Sequence, residues 1–129
     1  MLKFLVFSDL HLVDTGETSH GLDTFKRFAA GVDWVNMHHA DADFVVLAGD
    51  LADLGFKGAK EPYARLKGLV DSLSLPCHIT IGNHDNRDTY VAHFGAETRA
   101  ETGCIDKVVD AKGHRTILLD SVVKDADHT

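Results

Sequence analysis

Phe44-Val45-Val46-Leu47-Ala48-Gly49-Asp50-Leu51-Ala52-Asp53 is an apolar run broken by a glycine and then by carboxylates. A short valine-rich run without polar alternation reads as a strand buried in a parallel sheet. The carboxylates then stand at its carboxyl end. Two other segments repeat the pattern: residues 4–7 lead into Ser8-Asp9-Leu10-His11, and residues 77–81 lead into Gly82-Asn83-His84-Asp85. In open α/β sheets the working crevice lies beyond the carboxyl ends of the strands, so clusters distant in sequence are expected to meet there.

Helices fill the gaps between these strands. Asp23 suits an N-cap, and Phe25, Phe28, Ala29, Val32 and Val35 follow at the spacing that lays one apolar stripe on a sheet, with Gly31 weakening the helix without breaking it. Pro62 suits the first turn of a second helix, whose Leu66, Leu69, Val70 and Leu73 keep the same period until Pro76. A short third helix spans residues 87–94, closed by Gly95. Strand and helix thus alternate in the doubly wound manner with right-handed crossovers. Residues 105–109 and 116–119 then read as two strands of a hairpin joined through Ala111-Lys112-Gly113. The expected class is α/β: a parallel β-α-β-α-β core followed by a hairpin, in one domain over residues 1–129, with no low-complexity tract or linker.

The bulk composition agrees with a soluble globular chain: 129 residues, 44% hydrophobic and 26% charged. Thirteen basic against 20 acidic residues leave a formal charge of −7, which disfavours a partner held by broad phosphate neutralisation, such as a nucleic acid. A small anionic substrate would need local cationic charge instead. Cys77 and Cys104 lack metal-ligand spacing, and Cys77 sits in an apolar run, so no disulfide is expected. Residues 1–7 reach Ser8-Asp9 too soon for a signal peptide, and no run approaches the ~20 apolar residues of a membrane span. A cytoplasmic location, away from membranes, is the expectation.

The three clusters carry the chemistry. Asp9 and His11 flank one residue at a strand end, so both can reach one ion where the backbone leaves the sheet; alone, the pair is more often an Asp that caps a turn beside a surface His. Asp50 follows a glycine that lets the chain bend, and a carboxylate can bridge two cations about 3.5–4 Å apart, the spacing of two-metal hydrolases. Its plainer role is to cap the following loop. Gly82-Asn83-His84-Asp85 is the most specific of the three, with an amide oxygen, an imidazole and a carboxylate on consecutive residues. Asn83 offers a neutral oxygen to a second ion, His84 can donate to a phosphoryl or leaving oxygen, and Asp85 can orient the His84 ring. Asp53 stands either as a support behind the ligands or as an ordinary loop carboxylate.

Asp9-x-His11, Gly49-Asp50 and Gly82-Asn83-His84-Asp85, in that order, resemble the first three motifs of the calcineurin-like metallophosphoesterases. Ser8-Asp9-Leu10-His11-Leu12, the stretch from Phe44 to Asp53 and Ile117-Leu118-Leu119-Asp120-Ser121 are similar to the bacterial class III cyclic-nucleotide phosphodiesterases and glycerophosphodiesterases. The resemblance runs from Met1 to about Ser121. It implies a four-layer αββα sandwich, with Asp9, His11 and Asp50 on one metal, Asp50 and Asn83 on the other, and His84 facing the substrate as the catalytic group. It also implies hydrolysis of a small phosphodiester, a cyclic nucleotide or a glycerophosphodiester, by a hydroxide held between two divalent or trivalent ions. Mixed oxygen and imidazole donors favour Mn, Fe, Co or Zn over Mg or Ca.

The family pattern continues with a lone metal-binding His and then Gly-His-x-His, which these residues do not contain. Gly113-His114-Arg115-Thr116 lacks the second His and lies in the hairpin, so it is rejected as a ligand. The expectation is therefore that residues 1–129 form the N-terminal part of an incomplete metallophosphoesterase domain, with one ion holding three protein ligands and the other two. A sheet face left bare by that truncation invites homo-oligomers. Among the remaining histidines, His20 is an exposed loop residue, His38 and His39 end the first helix, His78 lies in a strand, His93 in a helix and His128 in a tail. Two rival functions are a non-catalytic scaffold that keeps the fold and a nuclease. Metal content well below one ion per chain marks the scaffold, and a basic groove would mark the nuclease.

Overall fold

The computed structural model describes residues 1–123. Strands β1 (Phe4–Phe7), β2 (Phe44–Ala48) and β3 (Cys77–Thr80) form a parallel sheet in that order, with β2 central and Leu5 level with Val45, and Leu47 level with Ile79. Helices α1 (Thr24–His38), α2 (Glu61–Asp71) and α3 (Arg87–Phe94) follow the three strands. Their ends follow from local chemistry. The Asp23 carboxylate accepts from the Lys26 N–H at 2.9 Å, Pro62 lies in the first turn of α2, and the Asn86 side chain accepts from the Thr89 N–H at 2.9 Å.

Because the strand order never reverses, crossovers of one hand gather the helices on one face, and the doubly wound arrangement is not realised among the described strands. On that face Phe28, Val32 and Val35 of α1, Tyr63 and Leu66 of α2 and Tyr90 of α3 pack with Val45, Leu47 and Ile79 into one core. Gly31 has a use here. A Cβ on it would lie 3.1 Å from the Phe7 ring, so the glycine lets α1 settle closely on β1.

The opposite face is covered in part by a hairpin of β4 (Lys107–Ala111) and β5 (His114–Leu118), whose Val109 and Leu118 pack on Phe44 and Val46. The sheet face expected to lack cover is bare at the edge strand β1, where Phe4 and Val6 stay 42% and 54% exposed, because the hairpin lies over β2 and β3. The hairpin register also differs from the expected one. Lys112 and Gly113 both take positive φ, 50° and 78°, and close a two-residue turn, so Ala111 pairs with His114 instead of joining the loop. Ile105 belongs to the main core, and its N–H goes to Asp120 at 2.9 Å, not to a ladder partner.

Asp120 ties the end of this hairpin to the start of α3. The Arg87 guanidinium donates to its two oxygens at 2.6 and 2.9 Å, and the Asp120 side chain is wholly covered. Burial pushes this carboxyl up, but the Arg87 hydrogen bonds and the N–H groups of Ile105 and Val122 outweigh it, leaving the group below its ordinary value of 3.8. Arg87→Ala is expected to lower stability by about 2–3 kcal/mol, less than a fully buried pair because Arg87 keeps 21% exposure. A carboxyl with a depressed folded value stabilises above its unfolded value and loses that contribution as the pH falls through the folded one. Urea titrations should therefore show the gap between the variant and the parent chain closing below about pH 4. No helix among the described residues is long and apolar enough to cross a membrane.

Candidate metal centre

All three polar clusters sit at the carboxyl edge of the parallel sheet, and the first two are laced together. The Asp9 N–H donates to the Gly49 carbonyl at 3.2 Å, His11 to Asp50 at 2.8 Å, Leu12 to Leu51 at 2.9 Å, and Asp53 back to Leu12 at 3.0 Å. The pairing of β1 with β2 thus continues beyond both strands into the loops. Asp9, His11 and Asp50 adopt positive φ of 57°, 45° and 49°, a region that aspartate tolerates better than most residues and that histidine visits less often. Three such residues within one small cluster mark backbone held in place by its surroundings.

The side chains converge. One donor atom each from Asp9, His11 and Asp50 lies within 4.8 Å of the others, and the same is true of His11, Asp53 and His84. The His11 Nε2 stands 4.0 Å from Asp9 Oδ1 and 3.6 Å from Asp50 Oδ2. Among the described residues no lysine or arginine is ion-paired with Asp9, Asp50 or Asp53. Clustered carboxylates facing an imidazole lone pair, without a protein cation, make a donor set suited to a metal ion. Asp9, His11 and Asp50 therefore form a group that could hold a metal ion.

Asp53 holds both imidazoles. Its Oδ1 accepts from the His11 Nδ1 at 2.9 Å, and its backbone carbonyl accepts from the His84 Nδ1 at 2.7 Å. Since a carboxylate and a carbonyl only accept, the proton of each neutral ring sits on Nδ1 and the Nε2 lone pair is left free. The His11 and His84 rings meet edge to face at 4.7 Å, and Phe56 stands against His84 at 5.3 Å. The third cluster joins the second through the His84 N–H, which donates to Asp50 Oδ1 at 3.0 Å. Asn83 lies exposed in the turn closed by the Asp85 N–H on the Gly82 carbonyl at 3.0 Å.

Asp85 does not orient the His84 ring. Its carboxylate is only 3% exposed and is filled by the N–H groups of Leu51, Ala52 and Gly82 and the Tyr63 hydroxyl, at 3.1, 3.0, 2.8 and 3.0 Å. Burial raises the Asp85 carboxyl above its ordinary value, with these donors opposing the rise. Burial and the Asp85 charge also raise the Tyr63 hydroxyl, which therefore stays protonated. Tyr63 is the residue that sequence reasoning missed, since a tyrosine on an amphipathic helix reads as core. The only hint was a polar tip on a buried face.

The other histidines stand apart from the centre. His20 is exposed in its loop, His38 ends α1 beside His39, which caps it, His78 lies in β3 and His93 in α3, and His114 is exposed in β5. His128 lies outside the described residues.

The model of the calcineurin-like phosphoesterase family matches residues 2–121. A probable cyclic nucleotide phosphodiesterase of Rhodopseudomonas palustris is 32% identical over 121 residues, covering 94% of this chain and 43% of that protein. A cAMP/cGMP dual specificity phosphodiesterase of Mycobacterium tuberculosis is 30% identical over 129 residues, 96% of this chain and 39% of its own length. A probable glycerophosphodiester phosphodiesterase of Arcobacter nitrofigilis is 28% identical over 119 residues, 91% and 42% of the two chains. The chain thus spans about two fifths of the length of these relatives.

Proposed function

The chain belongs to the calcineurin-like phosphoesterase family, and from that premise we propose that it carries the first part of a binuclear metal centre that hydrolyses a phosphodiester. Asp9, His11 and Asp50 would hold one ion, and Asp50 and Asn83 the other, with Mn, Fe, Co or Zn suited to the mixed donors. The observation that supports this best is the convergence of Asp9, His11 and Asp50 within 4.8 Å beside a second group that contains His84. The names of the relatives favour a cyclic nucleotide or a glycerophosphodiester as the substrate class.

Bound cations would lower the pKa of coordinated water and neutralise phosphoryl charge. The protein's own residues set the rest. Asp53 fixes the tautomer of His11 so that its Nε2 faces the carboxylates and is left free to act as a ligand. Held at Nδ1 by the Asp53 carbonyl, His84 keeps Nε2 available, and its protonated form can donate there to the leaving oxygen and take back a proton in the next cycle. Phe56 stands against one side of that ring.

Titration with Mn²⁺ by calorimetry, followed by turnover of a bis-aryl phosphate in the same buffer, tests the reading. Uptake of metal with turnover that EDTA abolishes is the expected result. A folded chain that binds well below one ion overturns it. His84→Ala should keep its metal and lose about 10²–10⁴-fold in kcat, the range for removal of a general acid.

A further inference from the structure

We propose that Asp85 and Tyr63 form a clamp that sets the spacing between Asp50 and Asn83, and through it the cation affinity of the centre. This inference rests on the metal reading above. Asp85 is a buried carboxylate that no lysine or arginine neutralises among the described residues, an arrangement that is unfavourable unless every lone pair finds a donor. Here each oxygen finds two. Oδ1 takes the Ala52 N–H and the Tyr63 hydroxyl, and Oδ2 takes the Leu51 and Gly82 N–H groups.

Those donors come from three separate places: the loop after β2, the loop after β3, and α2. Leu51 is the neighbour of Asp50, while Asn83 and His84 are the two residues between Gly82 and Asp85. Tyr63 adds a second grip, because its oxygen also accepts the Asn86 N–H at 2.9 Å. The segment from Gly82 to Asn86 is therefore pinned at both ends, and the stretch after Asp50 is pinned to the same carboxylate. Gly55 makes room for the device: a Cβ there would fall 2.3 Å from the Tyr63 hydroxyl and 2.7 Å from the His84 carbonyl. Asp85 and Tyr63 touch neither ion nor substrate in this scheme; they are positioning residues.

Two variants of the full chain test the clamp. Tyr63→Phe removes one donor from Asp85 and the acceptor of the Asn86 N–H while keeping the ring in its packing. Asp85→Asn places an NH₂ group against backbone N–H donors. Removing supports behind metal ligands commonly weakens binding 10–100-fold, so the Mn²⁺ dissociation constant should rise about tenfold in Tyr63→Phe and about 100-fold in Asp85→Asn. Binding is measured by calorimetry per folded chain, and the absorption spectrum of bound Co²⁺ should change with it. Val35→Ala, a destabilising change in the core away from the centre, should leave affinity and spectrum alone.

If Asp85→Asn does not fold, Tyr63→Phe decides by itself. A folded Tyr63→Phe with parental Mn²⁺ affinity and Co²⁺ spectrum overturns the clamp and leaves the metal reading standing. A parent chain that takes up no Mn²⁺ overturns both.

Discussion

Alanine at position 50 is expected to reduce phosphodiester turnover at least 10³-fold and to lower the metal content, as removal of the group proposed to be shared by two ions should do. The Asp50 side chain is addressed by both neighbouring clusters. Its Oδ2 faces the His11 imidazole at 3.6 Å, and its Oδ1 accepts from the His84 N–H at 3.0 Å. Asp50→Asn separates charge from geometry. It can keep an acceptor for His84 while losing the negative charge, and should fall between the parent and Asp50→Ala. Asp50 already stands at φ 49°, a region alanine tolerates less well than aspartate, so the melting temperature of the alanine variant should be recorded beside its activity. Parental turnover and metal content in folded Asp50→Ala would remove Asp50 from the centre.

Gly82→Ala should be nearly as damaging although it removes no ligand. A Cβ at position 82 would lie 2.3 Å from the Asp50 Oδ1, 2.5 Å from the Asp50 backbone nitrogen and 3.0 Å from its Cγ. The carboxylate alone could swing aside; the backbone nitrogen cannot, so the two loops must part. Overpacking of this kind costs about 1–3 kcal/mol. Shifting catalytic groups by an ångström commonly costs about 10²-fold in rate, which is the expected loss in kcat/KM. Gly68→Ala is the matched control, because its Cβ would meet nothing within 4 Å on the surface of α2 and should leave activity unchanged. Equal behaviour of the two alanine variants would refute the close approach of the loops.

The sequence disclosed the parallel sheet and the three loops because the signals there are local. Runs such as residues 44–48 announce buried strands, and a cap such as Asp23 announces where a helix starts. Asp9, His11, Asp50 and His84 could be named because their chemistry is unusual in that order. The placement of Asp85 was not legible, since adjacency to His84 suggested a partner that the turn geometry points it away from. Its real partners, Leu51, Ala52 and Tyr63, are 22 to 34 residues distant and are known only once the loops are folded. The hairpin was found but slipped, because the position of a two-residue turn depends on which residues take positive φ. The bare flank of β1 depends on how far a covering element extends, which strand periodicity does not encode.

The backbone ladder that runs on from β1 and β2 into the ligand loops has a consequence for selectivity. Peptide groups tied at His11, Leu12 and Asp53 cannot easily relax around an ion of the wrong radius. A mouth of nearly fixed dimensions discriminates by fit, and an arriving ion has little chain left to order. In the proposed centre, ions would then compete on size and on readiness to shed water, with the polypeptide acting as a rigid gauge.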